Sequence, residues 1–314
     1  MDYRGCPLTF FLLFCSSSSL ILSMLRKILA LATILFISTL VVLFLPSKLK
    51  DTDQAIQEKI RQEQIEANRL KVEQNLLNLR EKLAAEIKNY NGEVAISVTE
   101  LASGATVSID GNKIYFPAST IKFLILVGVL KNIENGRYLL SLVEKNITSM
   151  MKISSNTAAN DLINKIGFPT LTKFPEDFGM NDTAFVHGFS PADGEIPIMT
   201  AGSNAMTTND ANIFWEKLYA EELLNSNSTK QALAYAKLPN VNLIYTPNGI
   251  TVFHKPGYIE VKSSEVYHDS GIVKTKDFTY VVTFFSRNNP THEEGGKFGK
   301  KLTKIIYDWF TENY

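Results

Sequence analysis

The stretch FPASTIK, residues 116–122, carries both structural and chemical information, and it runs directly into the uncharged segment FLILVGVL, residues 123–130. Ser119 is expected at the start of this buried helix, where backbone N–H groups and the helix dipole stabilise a developing oxyanion. Lys122 follows three residues later, so its amine can lie over the same turn. A serine nucleophile needs a base, and a lysine serves only where burial or positive charge lowers its pKa. The alternative interpretation is an N-capping serine followed by a solvated lysine.

Two shorter motifs follow along the chain. In ISSNTAAN, Ser154 and Asn156 flank one residue, so both side chains can point the same way from a turn before a helix. The hydroxyl could relay a proton to a leaving group, and the amide could hold a lysine and a substrate carbonyl. In VFHKPGY, Lys255 offers positive charge to a substrate carboxylate at the end of a strand. Gly257 permits close backbone approach, and the N–H of Tyr258 is a candidate oxyanion donor. Taken singly, helix capping and a strand-end turn are the commoner explanations.

The elements around these motifs predict one α+β domain over residues 91–314. Alternating, β-branched stretches lie at both of its ends, and apolar helical stretches lie between them. This order implies a sheet assembled from the two chain ends. The expected strands are 93–101, 105–110, 250–254, 264–273 and 278–287, and the expected helices are 120–130, 139–151, 157–166, 207–224 and 293–310.

The three motifs together resemble those of the penicillin-recognising serine hydrolases, most closely the class A β-lactamase-like family. That family carries S-x-x-K, S-D-N and K-T-G, and this chain has S-T-I-K, S-S-N and K-P-G in the same order. The stretch N-T-A-A-N and the tetrapeptide H-D-S-G, residues 268–271, are also similar to the family. The resemblance covers residues 76–314. It implies a five-stranded antiparallel sheet flanked by terminal helices, an all-helical half on the other side, and an active site between them.

The same resemblance implies a role for each motif residue. Ser119 would be the acylated nucleophile and Lys122 its activating base. Ser154 would shuttle the proton, Asn156 would orient the reacting groups, and Lys255 would bind the substrate carboxylate. No cofactor is implied. The histidines are scattered without a ligand-like spacing, so no metal site is expected; they are His187, His254, His268 and His292.

The chain departs from the family pattern at three places. Pro256 replaces the threonine that helps bind the substrate carboxylate, and Ser155 replaces the aspartate of the second motif. The loop that follows that motif, residues 185–200, contains no E-x-x-x-N stretch, although the glutamate of that stretch activates the deacylating water in class A enzymes. Residues 185–200 contain Asp193 and Glu195 as candidate substitutes, and the alternative is that both are solvated loop residues. An acyl-enzyme that persists is therefore the expectation.

Residues 1–50 are expected to form a membrane anchor. Residues 28–45 contain no charged side chain and are long enough for a transmembrane helix. Positive residues lie on both sides of this segment, and a removable signal peptide is the rival interpretation. We expect an uncleaved single-pass anchor in the cytoplasmic membrane, with the catalytic domain on its outer side and Met24 as the initiator.

Residues 51–90 are expected to form a helical stalk. Apolar residues recur there at steps of three and four, and residues 76–90 are expected to pack on the domain as its first helix. A coiled-coil dimer is an alternative. The stripe consists of Val72, Leu76, Leu79, Leu83 and Ile87.

The composition and motifs together define the expected function. The 32 basic and 32 acidic residues give no net charge, which argues against a nucleic-acid partner. We expect a membrane-anchored serine hydrolase that forms an acyl-enzyme at Ser119 with β-lactams or related cell-wall peptides. β-Lactam breakdown, and with it antibiotic resistance, is the family's usual activity. The alternatives are a peptidoglycan D,D-peptidase-type enzyme and a non-catalytic domain that binds the cell wall.

Overall fold

The computed structural model describes residues 11–190, 203–259 and 265–314. The chain divides into two compact units, Met1–Glu66 and Ala67–Tyr314. In the first unit, the segment Leu22–Leu40 is long and apolar enough to cross a membrane, and it overlaps the span expected from the sequence. Its apolar side chains are exposed, with Leu29 at 71% and Phe36 at 67%.

Five antiparallel strands form one sheet in the second unit, in the order β2-β1-β5-β4-β3. The expected five-stranded sheet built from both chain ends is thereby confirmed. Strand β3 continues past the K-P-G motif instead of ending at it. Its bounds and those of the other strands are β1 Glu93–Glu100, β2 Thr106–Ile109, β3 Thr251–Ile259, β4 Val266–Lys274 and β5 Thr279–Arg287.

A proline is tolerated inside β3 because β3 is an edge strand. The N–H of His254 points away from β4 and donates to the carbonyl of Ala236 at 2.8 Å. Pro256 lies two residues further on, so its nitrogen also faces the outer edge, where no ladder bond is lost. This explains why the strand runs to Ile259 although the sequence prediction ended it before the proline.

The sheet is covered on both faces, as the alternation along β5 shows. Val281 and Phe285 belong to the core on the side of the central helices. Val282 and Phe284 belong to a second core, which they share with the C-terminal helix and with part of the first helix. Three residues of the predicted stalk stripe are fully buried in this second core; they are Leu76, Leu79 and Leu83.

The helices match the sequence prediction in order but differ in detail. The segment expected as one helix over 139–151 is a 3₁₀ turn, Leu140–Leu142, followed by an α-helix. Two α-helices were not predicted, the fifth because it contains Pro175 and the seventh because it opens on polar residues. The bounds are α1 Phe11–Lys88, α2 Lys122–Glu134, α3 Glu144–Ile153, α4 Asn156–Ile166, α5 Phe168–Asp177, α6 Thr208–Tyr219, α7 Ser226–Tyr235 and α8 His292–Asn313.

Candidate active site

Ser119 lies in a 3₁₀ turn, Ala118–Ile121, that runs straight into α2, and not in the first turn of the α-helix itself. Ala118 has a φ of +49°, a conformation that residues other than glycine rarely adopt. The turn packs against β3 so closely that a Cβ on Gly257 would lie 2.9 Å from the nitrogen of Ser119. The Ser119 side chain is half-buried, and its hydroxyl makes no hydrogen bond with the part of the chain that the structure describes.

Lys122 opens α2 and is fully buried. Its Nζ donates to the carbonyl of Ser154 and to Oδ1 of Asn156, both at 2.6 Å. Burial, and then the positive charge of Lys255, lowers the pKa of Lys122 from 10.5 to about 6. A neutral amine has two N–H groups, which these two acceptors satisfy, and one lone pair that is free to take a proton. The arrangement therefore meets the requirement for a lysine base.

Ser154 connects the two lysines. It ends α3 in the left-handed conformation, with a φ of +58°, which turns its carbonyl and its hydroxyl toward different neighbours. The carbonyl accepts from Lys122, and the hydroxyl accepts from Nζ of Lys255 at 2.5 Å. Of the two amines only that of Lys255 contacts the hydroxyl, so a proton can pass directly between Ser154 and Lys255. The structure thus brings the first, second and third sequence motifs together.

Lys255 is 1% exposed and its Nζ also donates to the carbonyl of Pro256 at 2.9 Å. Burial lowers the pKa of Lys255 to about 7, and the carboxylate of Asp269 partly opposes this shift. Two buried amines with pKa values near neutrality on one serine residue are unusual in a structural core, because ordinary lysines stay charged and exposed. The cluster is therefore the strongest candidate for a reacting site among the described residues.

Asn156 links the lysine cluster to the segment that follows α5. Its Nδ2 donates to the carbonyl of Ser190 at 2.7 Å while its oxygen accepts from Lys122. Asn160, one helical turn further on, forms a two-way pair with the backbone of Phe189, at 2.6 and 2.9 Å. The neighbouring Ser155 caps α4, which leaves it outside the cluster.

Phe189 is a site residue that sequence reasoning missed. Its ring centroid lies 4.5 Å from Nζ of Lys122 and forms a cation–π contact when the lysine is charged. It belongs to the stretch searched for a glutamate, but its contact with Lys122 depends on the pairing with Asn160, which lies 29 positions earlier in the chain. Asp193 and Glu195 lie outside the described residues.

The remaining predicted residues flank the nucleophile. Gly257 fits against the Ser119 turn as described above. Tyr258 is 43% exposed, and its N–H faces the same outer edge as that of His254, four positions earlier on β3. The N–H groups of Ser119 and Tyr258 are thus the candidates for receiving an oxyanion.

The described histidines serve separate contacts. His187 pairs with the carbonyl of Gly188, and His268 with that of Phe116. His254 pairs with Asp269 at 2.9 Å on the face of the sheet behind Lys255. No three His, Cys, Asp or Glu side chains cluster within the described ranges.

The serine turn, the buried lysine pair and the serine that contacts both lysines supply the groups that a serine hydrolase requires. A sequence model of the β-lactamase enzyme family matches residues 78–145 and 142–310. The chain belongs to this family. A search of curated proteins finds no match.

Solved structures share the fold at low sequence identity. PBP-A is 22% identical, covers 76% of this chain and 97% of its own, and superposes with a TM-score of 0.66. A β-lactamase from Sphaerobacter thermophilus is 19% identical over 74% of this chain and 97% of its own, with a TM-score of 0.65. The TLA-1 extended-spectrum β-lactamase is 15% identical over 74% and 98%, with a TM-score of 0.66.

Proposed function

We propose that this protein is acylated at Ser119 by β-lactams or related cell-wall peptides and that it releases the acyl group slowly. The observation that carries the proposal is the convergence of Lys122 and Lys255 on Ser154 beside the nucleophile turn. The activity would be of the class A β-lactamase type in its acylation step. Because the acyl group is released slowly, the reaction with a β-lactam would end in a persistent adduct, as with a peptidoglycan D,D-peptidase.

The proposed acylation uses Lys122 as the base that activates Ser119. Lys122, neutral at pH 7, takes the proton of the Ser119 hydroxyl as the oxygen attacks the substrate carbonyl. The N–H groups of Ser119 and Tyr258 stabilise the oxyanion. Ser154 then donates its proton to the leaving nitrogen and is reprotonated from Lys255, the amine that contacts its hydroxyl, so the C–N bond breaks, the ester remains on Ser119 and Lys122 keeps the serine proton. Lys255 holds the Ser154 oxygen and adds positive charge near the substrate.

Slow release is supported by Phe189. Hydrolysis of the ester needs a water and a base, and among the described residues no carboxylate contacts Lys122. An apolar ring occupies the position over the amine, where it can neither orient a water nor accept its proton. A variant of PBP-A has been solved as an acyl-enzyme complex with penicillin G. A persistent adduct is accordingly what we expect from this chain.

We also propose the domain arrangement and location. Residues 1–50 would anchor the chain in the cytoplasmic membrane through one transmembrane helix, with the N-terminus inside. Residues 51–90 would form a stalk, alone or as a coiled-coil dimer, whose end packs on the domain through Leu76, Leu79 and Leu83, and residues 91–314 would form the hydrolase outside the membrane. The exposed apolar segment Leu22–Leu40 supports the anchor, because exposed apolar surface of that extent is costly in water.

The test is intact mass spectrometry of the full chain in detergent after addition of penicillin G. A Ser119 adduct that persists for many minutes supports the proposal, and Ser119→Ala must abolish it. A transient adduct with continuous turnover would identify an efficient β-lactamase instead. Absence of any adduct would refute the covalent mechanism and favour a non-catalytic binding domain. A peptide ending in D-Ala-D-Ala, assayed for release of the terminal residue, distinguishes peptidase activity from β-lactam binding alone.

A further inference from the structure

His268 is a fully buried histidine that the mechanism above does not use. It lies on β4, with its ring 4.5 Å from the ring of Phe285 and 6.0 Å from that of Tyr115, centroid to centroid. Burial lowers the pKa of His268 to about 4, and the nearby charge of Arg287 acts in the same direction. The imidazole is therefore neutral at physiological pH.

The hydrogen bonds of His268 fix its tautomer. The backbone N–H of Ser286 points at Nδ1 with a separation of 3.2 Å, and a backbone nitrogen can only donate. Nδ1 is consequently the acceptor, and the proton of the neutral ring sits on Nε2. Nε2 lies 2.9 Å from the carbonyl oxygen of Phe116 and donates to it.

The carbonyl of Phe116 directly precedes Pro117, whose own carbonyl accepts from the N–H of Thr120 in the turn that carries Ser119. Tyr115 is paired with Met206 through both backbone groups, at 2.9 and 3.0 Å, so the chain is still extended there. After Phe116 come Pro117, which has no N–H to donate, and Ala118, which is held at a positive φ. The bond from His268 thus fixes the chain where it changes from extended to helical.

The backbone of His268 also pairs with β3, the strand on the other side of Ser119. Its Cα partner in the ladder between β3 and β4 is Gly257, the residue that packs against the nitrogen of Ser119. One residue therefore connects both halves of the candidate oxyanion site. Its backbone lies in β4, which pairs with β3 in the sheet, and its ring binds the segment that precedes Ser119.

We propose that His268 is a positioning residue, whose Nε2–H bond to the Phe116 carbonyl sets the placement of Ser119 against β3. The effect on reactivity rests on the proposed function. The placement itself does not, because it concerns the geometry of residues 116–121 in the free protein.

Two polar substitutions separate the two bonds of the ring. In His268→Gln the longer amide can still donate to Phe116, whereas in His268→Asn the shorter amide can accept from Ser286 but falls short of Phe116. Val282→Ala is the matched control, because it removes buried methyl groups from the opposite face of β5. It lowers stability without touching the segment before Ser119.

The experiment measures three quantities on the full chain in detergent. These are the melting temperature, the second-order rate of acylation by penicillin G, and hydrogen exchange in peptides that cover residues 116–121. We expect His268→Asn to acylate about tenfold more slowly, since small displacements of a reacting atom are costly, and to exchange faster in this segment. His268→Gln should recover most of both properties. Val282→Ala should melt earlier, with the acylation rate and local exchange nearly unchanged.

The outcomes keep the two proposals apart. Equal acylation and equal exchange for the Asn and Gln variants would overturn the positioning role. So would a loss of acylation in Val282→Ala that matches the loss in His268→Asn, because the effect would then follow stability alone. If the wild-type chain forms no adduct, the proposed function fails, and the exchange comparison of His268→Asn with His268→Gln still decides the role of His268.

Discussion

Replacing Lys122 with methionine tests whether the buried amine is neutral, as the proposed chemistry requires. Its pKa is lowered by burial from 10.5 to about 6. Between these values the unfolded chain carries a proton on Lys122 that the folded chain lacks, so unfolding takes up a proton. Burial of Lys122 therefore costs nothing above pH 10.5, and the cost to folding grows as the pH falls toward 6. Methionine has a similar length and does not titrate, so it removes this dependence.

The size of this pH dependence follows from the uptake of one proton on unfolding. The free energy of unfolding of the wild type should rise relative to Lys122→Met by about 1.4 kcal/mol per pH unit between pH 7 and 9. At pH 7, keeping the amine buried costs folding about 5 kcal/mol, because pH 7 lies well below 10.5. The variant escapes this cost but leaves the Ser154 carbonyl and the Asn156 oxygen without a donor, at about 1–3 kcal/mol each. We expect the two proteins to be closely matched at pH 7, with the wild type gaining about 3 kcal/mol by pH 9.

Urea unfolding followed by tryptophan fluorescence measures this difference. The chain has two tryptophans, Trp215 and Trp309, and both are buried in the unit Ala67–Tyr314, so the full chain in detergent reports on that unit. Lys152→Met, at an exposed lysine beside the site, is the control for losing a lysine as such. A wild-type-minus-variant difference that stays flat from pH 7 to 9 would refute the reasoning, because Lys122 would then be charged when folded and could not be the base.

Three further substitutions test the remaining parts of the site. Gly257→Ala places a Cβ 2.9 Å from the nitrogen of Ser119. We expect acylation, measured by intact mass, to slow by about a hundredfold. An unchanged rate would mean that the turn does not depend on this contact. Phe189→Glu places a carboxylate over Lys122, so the half-life of the penicillin adduct should shorten while acylation slows, because the new charge raises the pKa of the amine. An adduct as long-lived as in the wild type would show that Phe189 does not limit release. Pro256→Thr adds a hydroxyl at the outer edge of β3 and should speed acylation by carboxylate-bearing β-lactams, whereas no gain would indicate that this hydroxyl cannot reach the substrate.

The sequence predicts the sheet well because strand periodicity is a local property. The alternation from Glu93 to Leu101 and from Phe278 to Arg287 is visible without knowing the fold, and both stretches are strands. The lysine cluster could also be anticipated. Lys122 lies at the start of an apolar helix and Lys255 within an apolar strand, and neither position is one where a lysine is needed for solubility.

What the sequence does not predict depends on contacts between distant residues. The 3₁₀ form of the Ser119 turn follows from its packing on Gly257, which comes more than a hundred residues later. The position of Phe189 follows from its pairing with Asn160, and the continuation of β3 past Pro256 follows from its place at the sheet edge. In each case a long-range partner outweighs local propensity.

The energetics of the two lysines bear on whether the domain catalyses or only binds. Lys122 and Lys255 both fold with lowered pKa values, so burying each amine costs folding free energy at neutral pH. Lys122 has no carboxylate partner among the described residues. The amine of Lys255 donates to a hydroxyl and to a carbonyl. Two buried amines on one serine, Lys122 at its carbonyl and Lys255 at its hydroxyl, are understandable if the amines take part in proton transfer, because that task requires pKa values near neutrality.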